Sequence, residues 1–504
     1  MKRREKVIYR KVEKMEYKKQ NPNAVIIYAD DLGYGDLSCY GAEEIHTPNI
    51  DRLAEEGILF QNAYSASAVC TPARYCMITG RYPFRNPNTF ILPGNAKCII
   101  EKDTMTLPKI FQQAGYKTGV VGKWHLGLGD GNIDWNREIP HTPNDVGFDY
   151  SFIFPGTNDR VPCVYVRNHK VVGLEESDLI EVSYETECPY EDIDTYQKNP
   201  EKLRMQSSHG HNMSIVNGIG RIGYMRGGKK AVWKDENLAE DFLNESKSFI
   251  DECGQQPFFL LYTVHQPHVP RVPKERFRGA TGLGPRGDVI AELDWCVGEL
   301  ISHLEKKGIL ENTLILFSSD NGPVLNDGYQ DRAVELNGAH HPTGPLRGGK
   351  YSKYDGGARI PFVVSWKGHL KQKHSDALIS QCDMMSSFAS LLGVELKEDE
   401  APDSQNMIDV LLGKTEQGRD ELLYESMSKA KVLRRGKWEY LEPSEGLPVA
   451  LTTGIELGNS MDKQLYNMVY DIGQTKNVAA YYPDIVDEME THLKDILQST
   501  RTGK

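Results

Sequence analysis

Long hydrophobic runs are missing from this chain. None of its apolar stretches approaches the roughly 18 residues needed to span a bilayer. The longest, such as Phe258 to Tyr262, have the length of a buried strand. Basic charge is not in excess either. With 59 Lys+Arg against 71 Asp+Glu the formal net charge is −12, which argues against nucleic acid as a partner, because a nucleic-acid face is basic. Cysteine is sparse and unpatterned, at nine scattered residues with no Cys-x-x-Cys. That excludes a disulfide scaffold and a zinc ribbon, and it suits a reducing compartment. There is no internal repeat, no low-complexity tract and no glycine period of the collagen kind. The apolar share of 39% and aromatic share of 9% exclude a disordered chain.

The first 20 residues carry nine Lys/Arg and three Glu around no apolar core. They do not form a secretory signal and are read as a solvated basic arm over residues 1–20. As the sequence stands this makes the protein cytoplasmic; a different true N-terminus would make it periplasmic or secreted.

Apolar strands alternating with amphipathic helices fill most of the remaining length. Ala24 to Ala29, Thr118 to Val121, Phe258 to Val264, Thr313 to Phe317 and Pro361 to Ser365 are continuous apolar runs of the kind seen in strands covered on both faces. Between them, Asn49 to Glu56, Leu107 to Ala114, Leu238 to Ile250 and Ala291 to Lys306 have helical periodicity. The alternation predicts a layered α/β domain over residues 21–405, with ligands beyond the carboxyl ends of the strands. After a polar stretch near residue 400, short strands at Glu421 to Ser426, Lys431 to Leu433 and Trp438 to Leu441 precede a helix from Pro483 to Leu497. These predict a small α+β domain over residues 406–504. The polar, Gly- and His-rich region from Val171 to Lys234 is read as long loops on the substrate side.

Two strand ends carry acidic groups: Asp30-Asp31 after the first strand, and Asp320-Asn321-Gly322 after the run ending in Phe317-Ser318-Ser319. Brought together, three carboxylates and one amide oxygen would make a hard, all-oxygen site for Ca²⁺ or Mg²⁺. A third feature is Cys70-Thr71-Pro72-Ala73-Arg74, followed by Thr79-Gly80-Arg81.

This Cys-x-Pro-x-Arg segment resembles the signature of the type I, formylglycine-dependent sulfatases of the alkaline-phosphatase-like superfamily. Further blocks resemble the same family in the same order. They are Asp30 to Asp36, His46 to Ala54, Gly122-Lys123-Trp124-His125-Leu126-Gly127, Pro267-His268-Val269-Pro270, Ser319 to Gly322, Leu346 to Lys350 and Asp355 to Pro361, with Asp355 where Glu is more usual. The resemblance implies a large mixed β-sheet sandwiched by helices with a small C-terminal domain, and a sulfuric ester hydrolase. It implies that a maturation enzyme converts Cys70 to Cα-formylglycine. One hydroxyl of its hydrate attacks sulfur, and the other then loses its proton to expel sulfate, a turnover step a plain serine could not perform. It further implies a cation, Ca²⁺ with Mg²⁺ also allowed by ligand type, on Asp30, Asp31, Cys70, Asp320 and Asn321. Arg74, one helical turn after Cys70, would reach the hydrate. Lys123 and Lys350 would hold sulfate oxygens, His125 would act as base, and His268, alone or with Lys350, as acid.

His265 could line the site, while His340 and His341 are read as structural. Asp159, Arg160 and His211, with Arg221 and Arg226, are polar groups able to bind sugar hydroxyls or further anions. They favour an O-sulfated saccharide cut at a chain end. Small aryl sulfates, a phosphodiester or phosphonate substrate, a silent sulfated-glycan binder with unmodified Cys70, and a thiol hydrolase are the competing readings.

Overall fold

The computed structural model describes residues 22–503; the expected basic arm lies outside them. A ten-stranded sheet forms the centre. Its middle is five parallel strands in the order β6–β1–β5–β3–β4, where β1 is Asn23–Ala29, β3 Lys117–Lys123, β4 Tyr150–Phe154, β5 Phe258–Thr263 and β6 Thr313–Ser319. Beyond β6, the strands β7 (Phe362–Ser365) and β2 (Gly57–Phe60) each run antiparallel to the preceding neighbour. An apolar run with both faces covered therefore did not mean a parallel strand at Phe362–Ser365, because helices on both faces bury a strand whichever way it points.

Adjacent residues on a strand face opposite sides, and β5 shows what each side meets. Phe258 packs edge-on against Phe249 of α4 (Leu238–Cys253), with ring centroids 6.2 Å apart. Phe259 stacks on Phe111 of α3 (Leu107–Gln113) at 4.2 Å. The sheet is thus sandwiched. One layer contains α4, α5 (Gly284–Lys306) and α1 (Pro48–Glu55), and the other contains α3, α6 (Met384–Leu392) and α2 (Cys70–Thr79). Helix α5 begins seven residues before the expected Ala291. Its first turn, Gly-Pro-Arg-Gly, has no apolar periodicity, and Pro near the start needs no N–H there.

The small C-terminal unit is a four-stranded antiparallel meander, β8 (Glu421–Glu425), β9 (Lys431–Arg435), β10 (Trp438–Leu441) and β11 (Gln464–Asn467). Helix α7 (Pro483–Gln498) closes it with Val486, Met489, Leu493 and Ile496. Its β8 also reaches the large unit. The Ala68 N–H donates to the Glu425 carbonyl at 2.8 Å, and the Glu425 N–H donates to Ala66 at 3.0 Å, just ahead of Cys70. Between Val171 and Lys234 the described strands are two or three residues long, as expected of a loop region. Among the described residues no helix is long and apolar enough to cross a membrane.

Candidate active site

The parallel strands end on one rim, and each delivers functional groups there. Ala29 of β1 pairs with Ser319 of β6, so the residues that follow, Asp30-Asp31 and Asp320-Asn321, leave the sheet side by side. The Asp31 N–H donates to Asp320 Oδ1 at 3.2 Å. Lys123 is the last residue of β3, His268 follows β5, and Asp159 follows β4. Two glycines make the approach possible. A Cβ on Gly122 would lie 1.9 Å from the Thr263 carbonyl oxygen, and one on Gly322 would lie 1.7 Å from that of Gly356. Asp31 and His125 have left-handed φ values of 62° and 56°, a strained state that persists where surrounding contacts fix it.

Cys70 opens α2 and is 3% exposed. Its thiol is 3.6 Å from Asp30 Oδ1 and 3.9 Å from Asp31 Oδ1. Burial and the Asp320 carboxylate push that thiol well above its ordinary range. A thiol hydrolase would leave the converging Asp30, Asp31 and Asp320 carboxylates beside Cys70 without a task. Arg74, four residues on, turns its guanidinium onto the acidic cluster: Nε donates to Asp320 Oδ2 at 2.9 Å and Nη2 lies 2.8 Å from the same oxygen.

Ligand atoms of Asp30, Asp31, Cys70 and Asp320 all lie within 4.8 Å of one another. Each carboxylate is in close contact with a cationic side chain. Lys123 Nζ donates to both oxygens of Asp30 at 2.7 Å, Lys350 Nζ to Asp31 at 2.7 Å, and Arg74 to Asp320. Burial nevertheless pushes Asp30 up to about 8, and the neighbouring Asp320 and Asp31 charges add to the rise. Asn321 Oδ1 is buried and has no hydrogen-bond partner among the described residues, while its Nδ2 donates to Asp31 at 2.8 Å. Crowded buried carboxylates, an orphaned amide oxygen and a hard donor set fit a divalent cation.

The two histidines are held in defined tautomers. His125 Nε2 is 3.0 Å from the Leu92 carbonyl, which can only accept, so the proton is on Nε2. The lone pair on the buried, unpartnered Nδ1 is then free. Burial, Lys123 and Arg160 hold His125 well below the usual imidazole range. His268 donates from Nδ1 to the Val269 carbonyl at 2.6 Å and has Nε2 3.8 Å from Asp31. Burial and Lys350 likewise keep it low.

Asp159, Arg160 and His211 come together. His211 Nε2 is 2.7 Å from Asp159 Oδ2, and Arg160 Nη1 is 2.9 Å from Asp159 Oδ1. Against the burial that raises it, Arg160 and His211 hold Asp159 well below the carboxylate range. Asn158, one residue earlier, has Oδ1 3.2 Å from His268 Nδ1, so this group adjoins the acid cluster. Other sequence candidates lie elsewhere. Arg221 is fully buried on Asp235 at 2.8 Å and props the Asn158 carbonyl from behind. Arg226 pairs with Glu181 at 2.7 Å on the surface. His265 packs against Phe154 and Phe242, His340 bonds Asp36 at 2.8 Å, and Asp355 meets Tyr64 at 2.8 Å. Asp327 and Tyr351, which carry no motif, were not foreseen. Asp327 Oδ2 is 2.8 Å from Lys350 Nζ, and the Tyr351 hydroxyl donates to Asp327 Oδ1 at 2.9 Å.

Comparison with known proteins adds the following. The family described as Sulfatase matches residues 22–394. An N-acetylgalactosamine-6-O-sulfatase of Bacteroides thetaiotaomicron is 48% identical over 484 residues, covering 96% of this chain and 94% of that protein. Human arylsulfatase A is 29% identical over 408 residues, covering 80% of this chain and 70% of its own length. A solved structure from work on the metabolism of multiple glycosaminoglycans by B. thetaiotaomicron superposes with a TM-score of 0.94 at 47% identity. It covers 95% of this chain and 100% of that one.

Proposed function

Because this chain belongs to the sulfatase family, whose members are sulfuric ester hydrolases, we propose that it removes the 6-O-sulfate of an N-acetylgalactosamine unit at the end of a glycan chain. The supporting observation is the Asp159–Arg160–His211 group beside His268, with Asp159 and His211 buried and Arg160 half-buried. A carboxylate, a guanidinium and an imidazole fixed on one another are preorganised to recognise sugar hydroxyls, and small aryl sulfates make no use of them. The relative named for that activity matches the chain across both units.

Asp30, Asp31, Cys70, Asp320 and Asn321 would hold the cation. Bound there, a divalent cation, Ca²⁺ in preference to Mg²⁺, would draw charge from the sulfate, and a formylglycine made from Cys70 by a maturation enzyme would supply the attacking oxygen. Asp30, Asp31, Asp320 and Asp327 carry about one negative charge more than Lys123, Lys350 and Arg74 neutralise, so a divalent ion leaves the site with a net charge of about +1, as an anionic ester requires. Lys123 and Lys350 grip sulfate oxygens as point charges. Arg74 fixes Asp320 and reaches toward residue 70. His125 Nδ1, with its free lone pair, takes a proton during sulfate release, and His268 protonates the departing sugar oxygen from Nε2. A bound anionic ester raises His268 toward the protonated state that this step needs.

The test is sulfate release, read by ion chromatography from protein produced together with a maturation enzyme. N-Acetylgalactosamine carrying 6-O-sulfate should outpace its 4-O-sulfated isomer and 6-O-sulfated N-acetylglucosamine. Equal or reversed rates would overturn the substrate assignment. A Cys70 peptide with the unmodified cysteine mass in active protein would overturn the formylglycine assignment.

A further inference from the structure

Lys350 has two carboxylate neighbours, and they are not equivalent. Asp31 belongs to the Asp30–Asp31–Cys70–Asp320 cluster, whereas Asp327 converges only with Asp31 and His268. Once a cation takes up the charge of Asp31, Asp327 is the carboxylate that still holds the ammonium, at 2.8 Å. Asp327 is itself fixed from the other side, since the Tyr351 hydroxyl reaches Oδ1 at 2.9 Å and Oδ2 at 3.3 Å. The Tyr351 ring lies under the same ammonium, 5.2 Å from Nζ.

The backbone that presents Tyr351 is in the left-handed region, with φ of 79°, an outlying state for a bulky side chain. It is pinned by two hydrogen bonds. The Tyr351 N–H donates to Ala68, two residues before Cys70, at 2.8 Å, and its carbonyl accepts from Met427 at 3.1 Å. The loop carrying Asp327 is anchored as well. Asn326 Oδ1 accepts from Ser208 at 2.7 Å, and the Gly328 carbonyl accepts from the Ser208 N–H at 3.0 Å. Gly328 lies against His211, where a Cβ would be 2.0 Å from Nδ1. The same loop therefore touches the sulfate end of the pocket through Lys350 and the sugar end through His211.

We propose that Asp327 and Tyr351 are positioning residues that hold the Lys350 ammonium in the sulfate subsite. This rests on the reading that Lys350 grips sulfate. Asp327 is an anion beside an anion-binding lysine, so simple charge and positioning predict opposite signs. Removing a negative charge alone would tighten sulfate binding, whereas releasing the lysine weakens it.

The experiment uses the matured, Ca²⁺-loaded enzyme, with inorganic sulfate as the calorimetric probe and kcat and KM measured on a sulfated sugar. Asp327→Asn should weaken sulfate binding and lower kcat/KM by roughly 10²-fold, the size expected when a reacting group is misplaced by about 1 Å. Asp327→Glu, which keeps the carboxylate, should bind sulfate better than Asp327→Asn. Tyr351→Phe, which loses only the hydroxyl, should cost about tenfold. In a Lys350→Ala background Asp327→Asn should add nothing. Tighter sulfate binding in Asp327→Asn, or a full additional loss in the Lys350→Ala background, would overturn the proposal. Unimpaired turnover by Lys350→Ala alone would instead overturn the assignment of Lys350 to sulfate.

Discussion

Replacing Asp320 by Asn separates the two tasks assigned to that carboxylate. The amide is nearly the same size, so no cavity is introduced, but its single oxygen can accept either from the Asp31 N–H, now on Oδ1, or from Arg74 Nε, now on Oδ2, and not from both. What disappears is a charge 2.8 Å from the Arg74 Nη2, in a pair whose side chains are 2% and 0% exposed. Breaking a buried ion pair by removing one partner costs about 3–5 kcal/mol. Arg74 keeps a second carboxylate, Asp30, at 3.8 Å, which places the loss near the lower end, about 3 kcal/mol. At roughly 1 °C per kcal/mol for a chain this long, from about 2.1 cal/mol/K of unfolding entropy per residue, Tm in the presence of a chelator should fall by about 3 °C. The second effect concerns the cation. A ligand at 100 times its Kd stabilises the folded state by about 2.7 kcal/mol, so wild-type protein should gain about 3 °C when Ca²⁺ replaces the chelator. Asp320→Asn should lose most of that gain and most of its bound metal by elemental analysis. Differential scanning fluorimetry of both proteins, with chelator and with Ca²⁺, measures the two effects separately. If the variant showed the wild-type Ca²⁺ increment, the cluster would not be the cation site.

Other consequences can be checked independently. His125→Ala should lower kcat by roughly 10²–10⁴-fold, the usual worth of a positioned base, with KM little changed; a pure KM effect would remove it from proton transfer. Asp159→Asn should lower kcat/KM on the sulfated sugar by at least about tenfold, because a charged hydrogen bond to His211 is lost, while turnover of an aryl sulfate stays near wild type. Equal losses on both substrates would argue against a sugar contact. Burial pushes Glu292 on α5 up to about 7, so the folded state binds a proton that the unfolded chain releases from about pH 4.5. This contribution is fully present below pH 4.5 and is lost as pH rises through 7. Glu292→Gln should flatten that slope, gaining up to about 3 kcal/mol on wild type between pH 5 and 8 in denaturant titrations; parallel curves would refute it.

The cluster was legible in the sequence because its chemistry sits where the pattern changes. Asp30-Asp31 and Asp320-Asn321 each follow an unbroken apolar strand, and paired register then brings them together. Cys70, Lys123, His125, His268 and Lys350 were found only through family resemblance, since a lone lysine or histidine has no spacing of its own. Arg221 looked like a pocket residue but is fully buried on Asp235, because long-range partners are invisible along the chain. Asp327 lay in a polar loop and Tyr351 next to Lys350, and neither shows its role until the left-handed turn at Tyr351 is seen. The direction of β7 was hidden for a similar reason, as burial on both faces leaves no trace of strand polarity.

The seam between β8 and the segment leading into Cys70 also sets a clock. The Ser67 hydroxyl donates to the Glu425 carbonyl across 358 residues of chain. During synthesis from the N-terminus this partner does not exist until that length has been added. At about 5–20 residues per second, the Cys70 segment waits roughly 20–70 seconds before this partner is made. A maturation enzyme acting on Cys70 before folding would have that interval, and a chain truncated before Glu425 would lack this seam.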